Sequence, residues 1–230
     1  MGSNATRNAR WEIFTQRCFW LFAVLLLSIG AVSFVPGDDR GRLLLSVVNM
    51  VLLIATVVAV GRTSLSSVIA LLLAVPAVWF QYQGLWNDDD AALAESWMFS
   101  AALYSTATIY QLRYVFQPKV MTQDKLFGAA AAYLMLGVLW AYLYAIVGYF
   151  YPQSYLVLGQ PGHLVYADAL YLSMTTLTST GFGDVVPVTR QARGICMIEQ
   201  VAGALYVAIL IARLAGVYPA QERSSDDAAK

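Results

Sequence analysis

Charge is what this 230-residue chain has least of. Asp, Glu, Lys and Arg together make up 12% of it, while hydrophobic residues make up 59%. A soluble domain is about a quarter charged. With a mean hydropathy of +0.61, the deficit excludes an ordinary water-soluble fold and places the chain in lipid. Its 14 Lys and Arg are balanced by 14 Asp and Glu, so no basic field exists to attract nucleic acid. Histidine occurs once, as His163. No nucleophile–base pairing, phosphate-binding loop or metal-ligand spacing accompanies it, so neither an enzyme nor a small-molecule substrate is expected. The 2 cysteines, Cys18 and Cys196, lie far apart in apolar runs. That spacing excludes a disulfide framework or a metal-ligand pair and predicts two free, buried thiols.

What the chain does have is long apolar runs. Residues 18–35 and 43–60 contain no charge, and each is long enough to cross a hydrocarbon core of about 30 Å as a helix. Residues 65–86 follow, with Pro76 as an expected kink and Trp79, Tyr82 and Trp86 as expected interfacial anchors. Further spans are expected at 96–112, 126–150 and 194–217, the last carrying Glu199 in its first half and Arg213 near its end. The first span lacks an obvious small-residue cleavage site and is read as retained. With a cytoplasmic N-terminus, Arg7, Arg10, Arg17, Arg62, Arg113, Lys119, Lys125, Arg213, Arg223 and Lys230 fall inside. Arg40, Arg42, Arg190 and Arg193 fall outside, with the acidic run Asp88-Asp89-Asp90 and Glu95. That asymmetry satisfies the positive-inside rule only if six helices cross and both termini are cytoplasmic. The expected location is a cell membrane, plasma or bacterial inner. The triple Asp reads as a solvated outer loop and not as a metal site.

The chain between Tyr151 and Arg193 must therefore leave and return on the outside. It reads as a polar turret, a short amphipathic helix near 166–178, and then Ser179-Thr180-Gly181-Phe182-Gly183-Asp184. A helix of about a dozen residues enters a membrane and stops. Non-helical backbone at that depth is tolerated where it is buried in protein or lines an aqueous path. Gly181 and Gly183 accept positive φ without a Cβ penalty. Alternating them with ordinary residues turns successive carbonyls to one side, where a column of them from several chains replaces the water shell of a cation.

This segment resembles the re-entrant pore loop of the potassium channel superfamily, whose filter reads T-V-G-Y-G followed by Asp. The likeness runs through Val185-Val186-Pro187 into the last helix and covers 126–217. It implies an all-α membrane protein with six transmembrane helices. It also implies a re-entrant pore helix and selectivity filter between helices five and six, and assembly as a homotetramer. The implied division is a cytoplasmic N-terminus (1–17), a four-helix sensor-like domain (18–113), a linker (114–125), a pore domain (126–217) and a cytoplasmic tail (218–230). The implied ion-binding residues are Thr178, Ser179, Thr180, Gly181, Phe182 and Gly183. Monovalent cations, K+ in the family, sit at Ser179, Thr180, Gly181 and Phe182, and no other cofactor is implied. Ser179 stands for the family's threonine and keeps its hydroxyl. Thr180 stands for valine and is expected to face the surrounding protein. Phe182 stands for tyrosine and lacks the phenol that braces the filter.

Filter support is expected from Asp184, with Tyr171 as its partner, and from Thr175, which occupies a position where some relatives carry a glutamate. Glu199 is an intramembrane carboxylate. It either braces the filter from behind as a protonated or hydrogen-bonded side chain, through Thr175, Thr176 or Thr180, or faces the ion path. Gly203 stands at the family's hinge position, and Gly203, Val207 and Ile211 are candidates for the cavity wall. His163 is either an external pH sensor or an ordinary turret residue. Residues 96–112 contain no arginine, and only Arg113 lies at their inner end, so the repeated charges of a voltage sensor are missing. Besides a potassium-selective channel, a weakly selective or non-selective cation channel and a non-conducting regulatory subunit stay open.

Overall fold

A computed structural model describes residues 17–32, 34–35, 39–60, 64–87, 89–117, 121–162 and 164–217. His163, Asp88, Lys119 and both terminal segments lie outside them, so the expectations placed there are not addressed. Among the described residues seven helices follow one another: α1 (Arg17–Val32), α2 (Asp39–Val60), α3 (Ser64–Trp86), α4 (Asp90–Val115), α5 (Gln123–Phe150), the short α6 (Tyr166–Leu177) and α7 (Arg190–Val217). Among the described residues, Ser66–Trp86, Gln123–Phe150 and Arg190–Gly216 are long and apolar enough to cross a membrane, and Arg17–Val32 and Leu44–Val58 are shorter apolar helices. Helix α4 is long, but Asp90, Glu95, Arg113 and a series of hydroxyl residues dilute its apolar character. The expected fourth span grows outward from 96–112 because Asp89 caps it, accepting from Ala91 N at 2.9 Å and Ala92 N at 3.3 Å. Thr122 caps α5 in the same way, accepting from Lys125 N at 3.3 Å.

Helix α5 is the central element, packed against α1, α4, α6 and α7. Its small residues Gly128, Ala129, Ala131, Ala132, Gly137 and Ala141 let neighbouring backbones approach closely, and Ala131, Ala132, Met135 and Val138 are fully buried. Polar side chains tie the outer helices to it. The Tyr142 hydroxyl bonds Asn49 Oδ1 on α2, and Asn49 Nδ2 donates to Gln81 Oε1 on α3 at 2.9 Å. Both cysteines are free and buried, as their sequence setting predicts. Helix α7 is the opposite of α5: Met197, Ile198, Val201, Leu205 and Ile211 are exposed along it.

The architecture is helical, as expected, with one small addition. Three short strands, β1 (Tyr155–Val157), β2 (Gln160–Pro161) and β3 (Val185–Pro187), form an antiparallel sheet in the order β2-β1-β3. Leu158 and Gly159 both have positive φ, the pattern of a tight two-residue hairpin turn between β1 and β2. Tyr155 pairs with Pro187 and Val157 with Val185. The sheet thereby fastens the turret to the chain leaving the glycine loop. Segments this short carry no readable alternation in the sequence.

Candidate functional site

The loop after α6 is built by backbone hydrogen bonds that fold back onto that helix. Thr178 is the C-cap of α6, with its N–H donating to Met174 O at 3.1 Å. The Ser179 N–H donates to Thr176 O at 2.9 Å. The N–H groups of Thr180 and Gly181 both donate to Thr175 O, at 2.8 and 3.2 Å. These bonds satisfy the carbonyls that a helix C-terminus otherwise leaves unpaired. They also fix the direction of the loop's own carbonyls. No peptide bond here is cis, so each C=O points opposite to the N–H of the following residue. The carbonyls of Thr178, Ser179 and Thr180 therefore point away from α6.

Positive φ recurs at every second residue: Ser179 at 56°, Gly181 at 56° and Gly183 at 84°. The two glycines are where the sequence analysis placed them, and nothing lies within 4 Å of where a Cβ would sit on either. Ser179 is the unexpected member. A left-handed backbone costs a non-glycine residue about 1–2 kcal/mol, and its composition signal is absent because serine is ordinarily right-handed. Ser179, Thr180, Gly181, Phe182 and Gly183 are all exposed in the single chain, Phe182 to 70%.

The supporting residues divide into those brought together as expected and those that are not. The Tyr171 hydroxyl donates to Asp184 Oδ2 at 2.7 Å, and the Phe182 ring stacks on Tyr171 with centroids 6.2 Å apart and planes 11° apart. One tyrosine thus carries both the Asp184 brace and the ring contact that Phe182 can make without a phenol. Thr175 contributes through its carbonyl, while its hydroxyl donates to Leu172 O within the helix at 3.0 Å. The Thr180 hydroxyl finds its partner in Thr178 Oγ1 at 2.8 Å, and Thr178 Oγ1 donates to Met174 O at 2.7 Å. Behind the exit, Leu158 N donates to Asp184 O at 2.7 Å and Val188 N to Ser154 O at 2.8 Å. In the first turn of α6, partial burial and the neighbouring Asp184 hold the Asp168 carboxyl above the usual carboxylate range.

Two expectations are corrected. Glu199 is fully buried and does reach the back of α6, but through Ser173 and not through Thr175, Thr176 or Thr180. Its Oε1 lies 2.6 Å from Ser173 Oγ, and the Tyr144 hydroxyl of α5 bonds its other oxygen. The helical phase of α6 turns Ser173 toward α7, while the Thr175 hydroxyl bonds back within α6 and Thr180 lies beyond the helix, its hydroxyl on Thr178. Gly203 is buried against α6 and not on a free wall: a Cβ there would lie 2.2 Å from Leu177 O. Val207 and Ile211 are exposed, as a wall position requires. Ser173, Tyr144 and Tyr133, whose hydroxyl donates to Leu177 O at 3.0 Å, went unrecognised in the sequence. The available signal was the rule that an intramembrane carboxylate needs a buried donor, which points to the hydroxyls of the neighbouring helices.

Residues 129–218 match the family model described as "Ion channel". Over that stretch the chain is similar to ion channels. The matched segment runs from early α5 past the end of α7, so the short α6 and its glycine loop lie at its centre. Ion channels perform no covalent chemistry, in keeping with a chain that has no catalytic motif. No curated protein and no solved structure matches the chain. The likeness therefore covers this segment, and the helices preceding it carry no assignment of their own.

Proposed function

We propose that the protein is a homotetrameric, potassium-selective cation channel of a cell membrane, with six crossing helices per subunit and both termini in the cytoplasm. The observation that carries this reading is the direction of the loop carbonyls. Thr180 and Gly181 turn their N–H groups onto Thr175 O, leaving the carbonyls of Ser179 and Thr180 free on the opposite side. Positive φ at residues 179, 181 and 183 suits a continuation of that column through Gly181 and Phe182. One column cannot surround an ion, whereas four around an axis replace its hydration shell. Cyclic assembly also accounts for two otherwise costly exposures, the loop itself and the apolar face of α7. The negative end of α6 then points at the inner cavity, where it favours a cation. Residues 18–113 form a peripheral domain whose fourth span, 96–112, contains no arginine and has only Arg113 at its inner end. Gating is accordingly weakly voltage-dependent, because steep gating needs several charges per subunit.

A weakly selective cation channel is the second reading, favoured by the absence of a phenol on Phe182 and by the hydroxyl pair of Thr178 and Thr180. Reversal potentials of reconstituted protein under bi-ionic potassium and sodium separate the two. A large potassium preference supports the first reading, and equal permeability supports the second. Absence of any cation current from protein whose native mass is that of a tetramer overturns both.

A further inference from the structure

Behind the loop, four groups from three helices make a closed chain of short oxygen–oxygen contacts. The Tyr144 hydroxyl on α5 meets one carboxyl oxygen of Glu199 on α7. The other carboxyl oxygen lies 2.6 Å from Ser173 Oγ on α6, which in turn lies 2.7 Å from the Gly137 carbonyl on α5. Glu199, Ser173 and Tyr144 have no solvent exposure. Each of these three contacts needs a proton between its oxygens. The phenol supplies one and the serine hydroxyl one, while a carbonyl supplies none. If Ser173 donates to Gly137, nothing is left for its contact with Glu199. If it donates to Glu199, its contact with Gly137 is two lone pairs face to face.

The count closes when the third proton is on Glu199. We propose that Glu199 is held as the neutral acid and that this proton positions the pore helix, a reading that rests on the proposed channel function. Tyr144 then donates to the carboxyl, the carboxyl O–H donates to Ser173, and Ser173 donates to Gly137. Helices α5, α6 and α7 are thereby linked immediately behind Thr175, the anchor of the loop. The titratable groups facing the carboxyl are Tyr144 and Tyr133 from α5, Tyr155 from β1 and Cys196 from α7. No cation is among these, so a carboxylate here is a buried, unpaired charge. Loss of the proton to water in alkaline solution leaves that charge and one contact without a proton. Ser173 then releases either α5 or α7, and the loop loses its backing. Glu199, Ser173 and Tyr144 are positioning residues that touch no ion.

Infrared difference spectra of the full chain in lipid vesicles test the proton directly. At neutral pH, wild type minus Glu199→Gln shows a protonated-carboxyl carbonyl band that shifts on carbon-13 labelling of glutamate. A difference confined to carboxylate stretches overturns the proposal, whether or not the protein conducts. Potassium flux against pH tests the consequence. Wild-type flux falls about tenfold for each pH unit beyond the titration point, the slope of a single-proton equilibrium. The Glu199→Gln variant donates an N–H to Ser173 as the neutral acid does, so it rescues the flux lost in Glu199→Ala and shows no alkaline fall. The same alkaline fall in the Gln variant overturns the role assigned to this proton.

Discussion

Replacing Gly203 by alanine measures how tightly the last helix is keyed to the end of the pore helix. A Cβ at 203 would stand 2.2 Å from the Leu177 carbonyl oxygen and 3.1 Å from both the carbonyl carbon and Cδ1 of Leu177, whereas real Cβ atoms essentially never come within 3.0 Å. The obstacle is backbone, already held by the Tyr133 hydroxyl at 3.0 Å, and it cannot swing aside as a side-chain end does. Parting the two helices far enough belongs with overpacking, at about 1–3 kcal/mol. Against that stands a gain of about 0.5–1 kcal/mol from alanine's better helix propensity. Gly194 lies in the same helix with nothing within 4 Å of its would-be Cβ, so Gly194→Ala reports the gain alone. The two variants are compared by thermal unfolding in detergent and by cation flux in vesicles. Gly203→Ala is expected to be about 1–3 kcal/mol less stable than Gly194→Ala, with reduced flux because Leu177 directly precedes the loop. A stability equal to that of Gly194→Ala with wild-type flux refutes the close contact. A raised stability with altered opening rates alone shows that residue 203 acts as a hinge.

Other outcomes follow from single contacts. Gly137→Ala is expected to be milder than Gly203→Ala in the same unfolding assay, because its Cβ meets the terminal methyl of Met174 at 2.3 Å, and that flexible end rotates away. Ser179→Gly and Ser179→Ala both remove the hydroxyl, but only glycine relieves the positive φ. The glycine variant should be more stable by about 1 kcal/mol, and equal stabilities contradict a left-handed residue 179. Tyr171→Phe keeps the stack on Phe182 and loses the 2.7 Å bond to Asp184. It should lower potassium-over-sodium discrimination in bi-ionic recordings while leaving the assembly intact. The raised carboxyl of Asp168 makes a destabilising contribution that is fully present above its folded-state value and gone below the ordinary carboxylate range. Asp168→Asn should therefore unfold at a higher temperature than wild type at neutral pH, and the difference should vanish in acid. A constant difference across pH removes the assigned cause.

Much of the architecture was legible before any coordinates, because lipid leaves few options. A chain with this little charge must satisfy its backbone internally. The length of each apolar run then located the helices, and the short amphipathic run near 166–178 was too short to cross. The Tyr171–Asp184 bond was equally legible, since a carboxylate and a phenol flanked the same short loop. Charge counts also excluded a conventional voltage sensor. These are properties of local sequence, set by solvent and by spacing.

Contacts that depend on rotational phase between helices far apart in the chain were decided by tertiary structure. Glu199 had to have a buried donor, but whether it was Thr175 or Ser173 turned on which face of α6 meets α7, and Tyr144 is 55 positions away in sequence. The resemblance made Gly203 a hinge, whereas its close contact with Leu177 O came only from the packing of α6 on α7. The small sheet joining 155–157 to 185–187 was invisible because three-residue strands carry too little periodicity to read. The left-handed Ser179 was hidden for another reason. Its backbone is dictated by the N–H groups on either side donating to Thr176 and Thr175, and that demand overrides the preference of the residue itself. Composition and spacing thus determined that this chain has helices apolar enough for a membrane and a glycine loop between the last two long ones. Only the packing of α5, α6 and α7 decided which side chains hold that loop in place, because helix phase is set by the whole of each interface and by no single residue in it.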